Sequence, residues 1–176
     1  MKHIVSVMPL ILFLTSLAPV YSATKPQDVY GWQNLRWGMN SKEVLNILVR
    51  KVEERNIRKD EKENMYSMFQ IRGVKIAARE FRASLWMNSE SHKLTRIVFV
   101  PEKEPFLFDW AETFIDLEHF LKTKYGDPDI ESTSNDPGTS ADRIWKFPST
   151  EIELTYLKLE DSELLLLVYS NTDRTG

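Results

Sequence analysis

Two groups of short strand-like runs, each preceded by one helical stretch, constrain the fold more than any other feature of the sequence. The runs are apolar or alternate between apolar and polar residues, and polar turns separate them. They cover residues 65–71, 81–87 and 94–100 in the first group and residues 143–147, 152–158 and 164–169 in the second. Because strands joined by short turns pair antiparallel, the sequence predicts an α+β fold with an antiparallel sheet of about six strands.

Capping residues and apolar spacing predict one helix before each group of strands. Asn40 with Glu43 and Asp109 with Glu112 can each form a capping box, and Gly126 can end the second helix. The apolar positions at helical spacing are Val44, Leu45, Leu48 and Val52 in the first helix and Trp110, Phe114, Leu117 and Leu121 in the second. The charged stretch 53–63 is interpreted as a helix end or a loop, and the polar stretch 127–142 as a loop.

The order of one helix and three strands therefore occurs twice, which favours a tandem αβββ duplication. Residues 81–100 can be overlaid on residues 152–171, since both stretches hold two strand-like runs around a central polar turn. The predicted organisation is a signal peptide (1–22), an N-terminal segment (23–40), two αβββ halves (41–101 and 102–171) and a tail (172–176). Both helices are expected on one face of a shared sheet, so that the opposite face stays open.

The N-terminus predicts export. Lys2 and His3 precede an apolar run over residues 4–14, and small residues near Ser22 offer a cleavage site. The alternative is an uncleaved membrane anchor, although the apolar run is short for a bilayer span. The chain has no cysteine, which excludes disulfides, thiolate chemistry and an acylated lipoprotein N-terminus. The expected location is periplasmic or secreted, with no integral membrane span after cleavage.

Charge is distributed unevenly between the predicted halves. The formal net charge is -3, which gives no reason to expect nucleic-acid binding. Residues 23–101 hold 15 basic and 9 acidic side chains, whereas residues 102–176 hold 7 basic and 17 acidic ones. The halves could attract each other, or the charges could simply be solvated. Alternatively, the asymmetry gives a bipolar surface that steers a partner or promotes head-to-tail association.

The run Trp-Gly-Met-Asn-Ser-Lys-Glu-Val at residues 37–44 resembles the opening motif of small exported bacterial modules that pack a helix on an antiparallel sheet. Outer-membrane assembly lipoproteins of the SmpA/OmlA type carry a similar motif, and β-lactamase inhibitor proteins use a similar module in tandem. The resemblance covers the architecture of residues 31–171 and about ten matching positions. This chain lacks the cysteines of both types. The resemblance implies a binding or scaffolding module of the cell envelope without catalytic residues.

Few residues suggest catalysis or metal binding. His92 falls in a predicted hairpin turn without a partner in the sequence, and no phosphate-loop, dinucleotide, serine-hydrolase or zinc-protease motif is present. Glu112, Asp116 and His119 share a helix face, so an unrecognised metal-dependent hydrolase is the alternative function. The acidic stretch 127–131 departs from the EF-hand pattern, and an irregular calcium loop remains an alternative to a simple connection. No cofactor is predicted.

The tryptophans and arginines indicate a binding surface. Trp32, Trp37 and Trp110 flank helices and are expected in the core. The candidate binding residues on the open sheet face are Arg82, Trp86, Arg143, Trp145 and Thr155. Tryptophan and arginine are enriched at binding hot spots. Burial of Trp86 and Trp145 under loops is the alternative.

The predicted function is thus a non-enzymatic exported module that contacts a protein or an envelope polymer. A homo-oligomeric envelope component held through residues 164–169 is a further alternative. That run is apolar on both sides, so it should lie centrally or at an interface.

Overall fold

Two helices and two antiparallel sheets make up the residues that the computed structural model describes, which are 25–48, 52–102, 109–135 and 138–173. The predicted signal peptide lies outside these residues. The elements in chain order are β1 (Gly31–Trp32), β2 (Leu35–Arg36), α1 (Ser41–Leu48), β3 (Val52–Asp60), β4 (Met65–Ile76), β5 (Arg79–Asn88), β6 (Leu94–Pro101), α2 (Trp110–Tyr125), β7 (Ile130–Ser134), β8 (Thr139–Lys146), β9 (Thr150–Leu159) and β10 (Ser162–Asn171). The α+β class and the antiparallel sheet are as the sequence predicts.

The large sheet has eight strands among the described residues, in the order β3-β4-β5-β6-β10-β9-β8-β7. The expectation of about six strands is therefore wrong, and the two additional strands form the two edges. β3 arises from the charged stretch interpreted as a helix end or loop, and β7 from the polar stretch interpreted as a loop. Charged and polar side chains on an edge strand disfavour pairing with another chain.

The two halves of the chain meet at the centre of the sheet. Each half consists of a helix followed by four strands, and the last strands, β6 and β10, pair antiparallel with Phe99 opposite Leu167. β10 is therefore hydrogen-bonded on both sides, and Leu166 and Val168 are half-buried on the face opposite its core residues. The tandem duplication of an αβββ unit stays a prediction.

One hydrophobic core lies against one face of this sheet. Along β9 the buried residues are Thr150, Ile152, Leu154 and Tyr156, and the residues between them are half-buried. Val44 of α1 and Leu117 of α2 belong to the same core cluster as Phe99 and Leu167 of the central strands. Both helices thus pack on the same face. The β1–β2 hairpin joins them there, with the Trp32 and Phe99 ring centroids 4.9 Å apart.

The predicted caps begin the two helices. The Asn40 backbone N–H donates to Glu43 Oε2 (2.8 Å) and the Glu43 N–H to Asn40 Oδ1 (3.1 Å), which completes a capping box. Asp109 Oδ1 accepts from the Glu112 N–H at 2.8 Å, and α2 ends at Gly126 with a φ of 79°. α1 is shorter than its apolar spacing suggests, because it ends at Leu48 and Val52 already begins β3.

Candidate functional site

The sheet face opposite the helices, here called the open face, is the candidate site. Three rows of side chains cross its centre, and a further row beside them holds Ser140, Leu157 and Leu164. The Trp86 row holds Ser67, Trp86, Arg96, Ser170, Glu151 and Lys146, and the middle row holds Gln70, Ser84, Val98, Val168, Glu153 and Ile144. If the β6–β10 register is continued by one residue beyond the pair Phe99–Leu167, the Arg82 row holds Arg82, Val100, Leu166, Thr155 and Asp142. The predicted residues Arg82, Trp86 and Thr155 therefore lie on one surface.

The open face is bipolar. Arg82 and Arg96 lie on β5 and β6, in the first half of the chain, whereas the three carboxylates lie on β8 and β9 in the second half. These carboxylates belong to Asp142, Glu151 and Glu153. A stripe of apolar side chains from the two central strands separates the two regions, formed by Val98, Val100, Leu166 and Val168. Basic side chains are therefore in excess on one side of the stripe and acidic ones on the other, and we call these regions the basic half and the acidic half, although Glu80 lies on the first and Lys146 on the second.

Three buried polar atoms on the basic half have no hydrogen-bond partner within the described part of the chain. They are Trp86 Nε1, Arg82 Nε and Gln70 Oε1. A buried donor or acceptor without a partner costs about 1–3 kcal/mol, so most are satisfied in folded proteins. On the acidic half the polar groups do pair, and Thr155 Oγ1 donates to Asp142 Oδ1 at 2.8 Å. Unmet hydrogen-bonding capacity is therefore concentrated around Arg82 and Trp86.

Trp145 does not lie on the open face, and that part of the predicted site is wrong. Its side chain is fully buried under α2, where the indole Nε1–H donates to the Gly126 carbonyl oxygen at 2.8 Å. The register explains the placement, because Trp145 pairs with the core residue Ile152 across β8 and β9. The sequence already indicates this placement, because Ala141, Trp145 and Phe147 alternate along the strand on the side that carries more apolar residues.

Arg143 shares the helix side with Trp145, so its assignment to the open face is wrong as well. Its Nε–H donates to Glu118 Oε1 of α2 at 2.7 Å, and its guanidinium lies 5.4 Å from the centroid of the Phe114 ring. An arginine tolerates this position because its aliphatic stem packs on apolar surface while its head finds a carboxylate. Its role is to attach α2 to the sheet.

Sequence reasoning missed the charged residues of the open face other than Arg82. Arg96 is one of them, and the β5–β6 hairpin pairs it directly with Trp86. Its Nε–H donates to Ser170 Oγ at 3.2 Å, which connects the basic half to the central strand β10. Glu151 and Glu153 alternate with the core residues of β9. Counting registers outward from the predicted hairpin turns would have placed these residues on one surface.

Two of the three residues of the alternative metal site, Glu112 and Asp116, pair with Arg79. Arg79 Nη2 lies 3.0 Å from Glu112 Oε2 and 2.9 Å from Asp116 Oδ2, and His119 is exposed to solvent. No group of three His, Asp or Glu side chains among the described residues could hold a metal ion. In the acidic stretch after α2, Asp129 accepts hydrogen bonds from Lys25 Nζ (2.5 Å) and from the Lys146 backbone (2.6 Å). These carboxylates act as structural partners of cations and backbone groups.

A cavity of about 210 Å³ opens at one end of the sheet, beside the Trp86 row. Its lining includes Glu63, Met65, Lys93, Arg96 and Asp173. Arg96 Nη2 lies 3.4 Å from Glu63 Oε2, so two of its charged groups already pair with each other. The cavity extends the open face at its basic end.

An ion-pair cluster that joins α2 to β7 and β8 predicts loss of stability in acid. Burial alone would raise the pKa of Glu118, but hydrogen bonds from Lys122 and Arg143 outweigh it and hold the pKa below its ordinary value. A depressed pKa in the folded state adds stability that is complete above the unfolded pKa of about 4.3. That stability is lost as the pH falls through the folded pKa. Melting temperatures measured across this range should therefore drop in acid.

The variant Glu118→Gln should flatten part of that drop, because it removes the titrating group while keeping a similar shape. Glu160→Gln, at the exposed β9–β10 turn, is the matched control and should leave the profile unchanged. Equal profiles for the native chain and Glu118→Gln would show that this cluster contributes nothing to the acid dependence.

No protein-family model matches the chain, and no curated protein or solved structure matches it. The resemblance to exported envelope modules therefore stays an expectation drawn from the sequence. Within the described residues, no helix is both long and apolar enough to cross a membrane.

Proposed function

We propose that the chain is an exported, non-enzymatic binding module that contacts another macromolecule of the cell envelope through the open face. The observation that carries this proposal is the unmatched donor capacity of Arg82 and Trp86 on a sheet face that neither helix covers. Buried donors gain most from an acceptor that arrives with a partner, because their cost is already present in the free protein. Tryptophan and arginine also dominate the energetics of many interfaces.

A protein fits this face better than an envelope polymer does. The open face carries an excess of cations on one half and an excess of carboxylates on the other, with an apolar stripe between them. Proteins can present both charge signs and apolar side chains at these spacings, and complementary potentials set the orientation of docking. A polymer with a single repeated charge would be attracted by one half and repelled by the other.

Site-specific photo-crosslinking tests the proposed surface. A photoreactive residue at Ser84, in the middle row of the open face, should capture a partner in cells that produce the protein. The same residue at Ile115, which is 62% exposed on the outer side of α2, is the matched control. Equal capture at both positions, or none at Ser84, would contradict a role for the open face.

Export is the second part of the proposal, and the N-terminal sequence supports it. Cleavage after the small residues near Ser22 would release a chain that begins near Ala23. N-terminal sequencing of the protein recovered from the periplasm or medium should show that start. An intact Met1 on protein confined to the cytoplasm would remove this part of the proposal.

We also infer that the two halves derive from one repeated unit. Each half places a helix before a four-stranded meander, and the last strand of each half pairs with the other at the sheet centre. The overlay of residues 81–100 on 152–171 keeps the core parity in the first strand. In the second strand the core positions of the two stretches differ by one residue, because the β5–β6 register shifts next to Trp86. The repeated unit would therefore be αββββ, with one bulge difference.

A further inference from the structure

The open face is complementary to itself when two copies meet face to face. We propose that a second copy of this chain occupies it, related to the first by a twofold axis that runs parallel to the strands between β6 and β10. This inference rests on the proposed function, because it treats the open face as a contact surface. It adds the identity of the partner and the geometry of the contact.

The axis follows from the strand order. A twofold axis parallel to the strands and centred between β6 and β10 exchanges strands that lie at equal distances from it. In the dimer, β6 of one copy faces β10 of the other, and β5 faces β9. The basic half of each copy therefore lies on the acidic half of the other. A twofold axis perpendicular to the strands would instead place the basic halves against each other.

The rows predict which groups meet. In the Trp86 row, Trp86 faces Glu151 of the second copy, so the unpartnered indole N–H meets a carboxylate. In the middle row, Ser84 faces Glu153 of the second copy. In the Arg82 row, Arg82 faces Thr155, which is hydrogen-bonded to Asp142. Small side-chain rotations would bring the buried nitrogens of Arg82 and Trp86 to these acceptors.

The central stripe supplies the apolar part of the contact. Val98 of one copy faces Val168 of the other, and Val100 faces Leu166. The apolar stripe of one copy therefore packs on the apolar stripe of the other. Charges are depleted at the centre of stable interfaces and enriched at their rims, which is the distribution seen here. The two sheets would stack about 10 Å apart, with the helices on the outside of both.

The available area is sufficient for a stable dimer. Strands lie about 4.8 Å apart and residues about 3.4 Å apart along each strand. Six strands and seven residues of each strand therefore cover on the order of 1,400 Å² over both copies, within the roughly 1,200–2,000 Å² typical of specific interfaces. Both edge strands lie outside this contact, so the dimer closes and no open-ended assembly follows.

A charge-swap complementation tests the dimer and its axis together. The first variant, Arg82→Glu with Arg96→Glu, makes both halves of the open face acidic. The second, Asp142→Lys with Glu153→Lys, makes both halves basic. Sedimentation equilibrium from low micromolar to several hundred micromolar protein should show a dimer for the native chain. Each variant alone should dissociate about 100-fold more readily, because like charges then face each other.

The equimolar mixture of the two variants should recover the dimer, since each acidic half then faces a basic one. Circular dichroism first establishes that both variants are folded, and Lys42→Glu with Lys124→Glu, away from the open face, controls for net charge. A native chain that stays monomeric throughout the range overturns the inference. So does a mixture that stays as monomeric as its components.

The two proposals fail separately. A monomeric chain whose Ser84 position still crosslinks to a different protein would overturn self-association and leave the proposed function standing. A monomeric chain with no specific crosslink at Ser84 would overturn both.

Discussion

Replacing Trp145 by alanine is expected to lower the free energy of unfolding by about 3–5 kcal/mol. The side chain is completely buried beneath α2, and its Nε1–H is bonded to the carbonyl of Gly126 at the end of that helix. The substitution therefore opens a large cavity and leaves a helix-terminal carbonyl without its donor. Urea denaturation followed by circular dichroism measures the change. Trp145→Phe, which loses the hydrogen bond but keeps most of the ring, should cost clearly less.

Trp86→Ala is the matched control, since Trp86 is also a sheet tryptophan but lies on the open face. It should cost about 1 kcal/mol or less, because the indole is only partly buried and its N–H has no partner to lose. A loss for Trp86→Ala as large as that for Trp145→Ala would show that both faces of the sheet are core. The proposed contact surface would then have no support.

Leu167→Ala is expected to lower the free energy of unfolding by about 2–5 kcal/mol, the second-largest effect. Leu167 lies in the central strand β10, is fully buried and pairs with Phe99 of β6 at the junction of the two halves. Truncation removes packing between the halves as well as contacts with the helix layer. Thermal and urea unfolding should both report the loss as one cooperative transition.

Leu166, the preceding residue of the same strand, provides the control. It is the same residue type in the same strand, but its side chain is on the open face and half-buried. Leu166→Ala should cost roughly 1 kcal/mol or less when measured at a protein concentration too low for self-association. Similar losses at Leu166 and Leu167 would contradict the one-sided core.

The strands of the sheet interior could be predicted from the sequence because each is an apolar or alternating run that polar turns bound. The two edge strands could not. β7 is exposed along its whole length, so its sequence IESTS carries no alternation that separates it from a loop. β3 has the sequence VEERNIRKD, and so many charged residues are as typical of a helix end or a loop as of a strand. These segments are extended because they hydrogen-bond to the backbone of a neighbouring strand. Their own sequence does not identify that neighbour.

The candidate site shows the same division between local and tertiary information. Alternation predicted that Arg82 and Trp86 share a face, and the register agrees. Alternation gives the period of a strand but does not state which parity points inward. For β8 that choice depends on α2, whose carboxylate Glu118 draws Arg143 to the helix side and whose end accepts the Trp145 N–H. The alternation within β8 alone therefore could not show which of its two sides faces the core.

The pairing of β6 with β10 also has a consequence for the order of folding. The first half can form its own meander as soon as residue 101 is available, but the exposed edge of β6 then waits for the last strand of the chain. Synthesis delivers that strand after all the other described strands. Throughout this interval the nascent protein presents an unprotected hydrogen-bonding edge at what becomes the middle of the mature sheet. Truncation of the chain before or within β10 would leave that edge permanently exposed to aggregation or to chaperone binding.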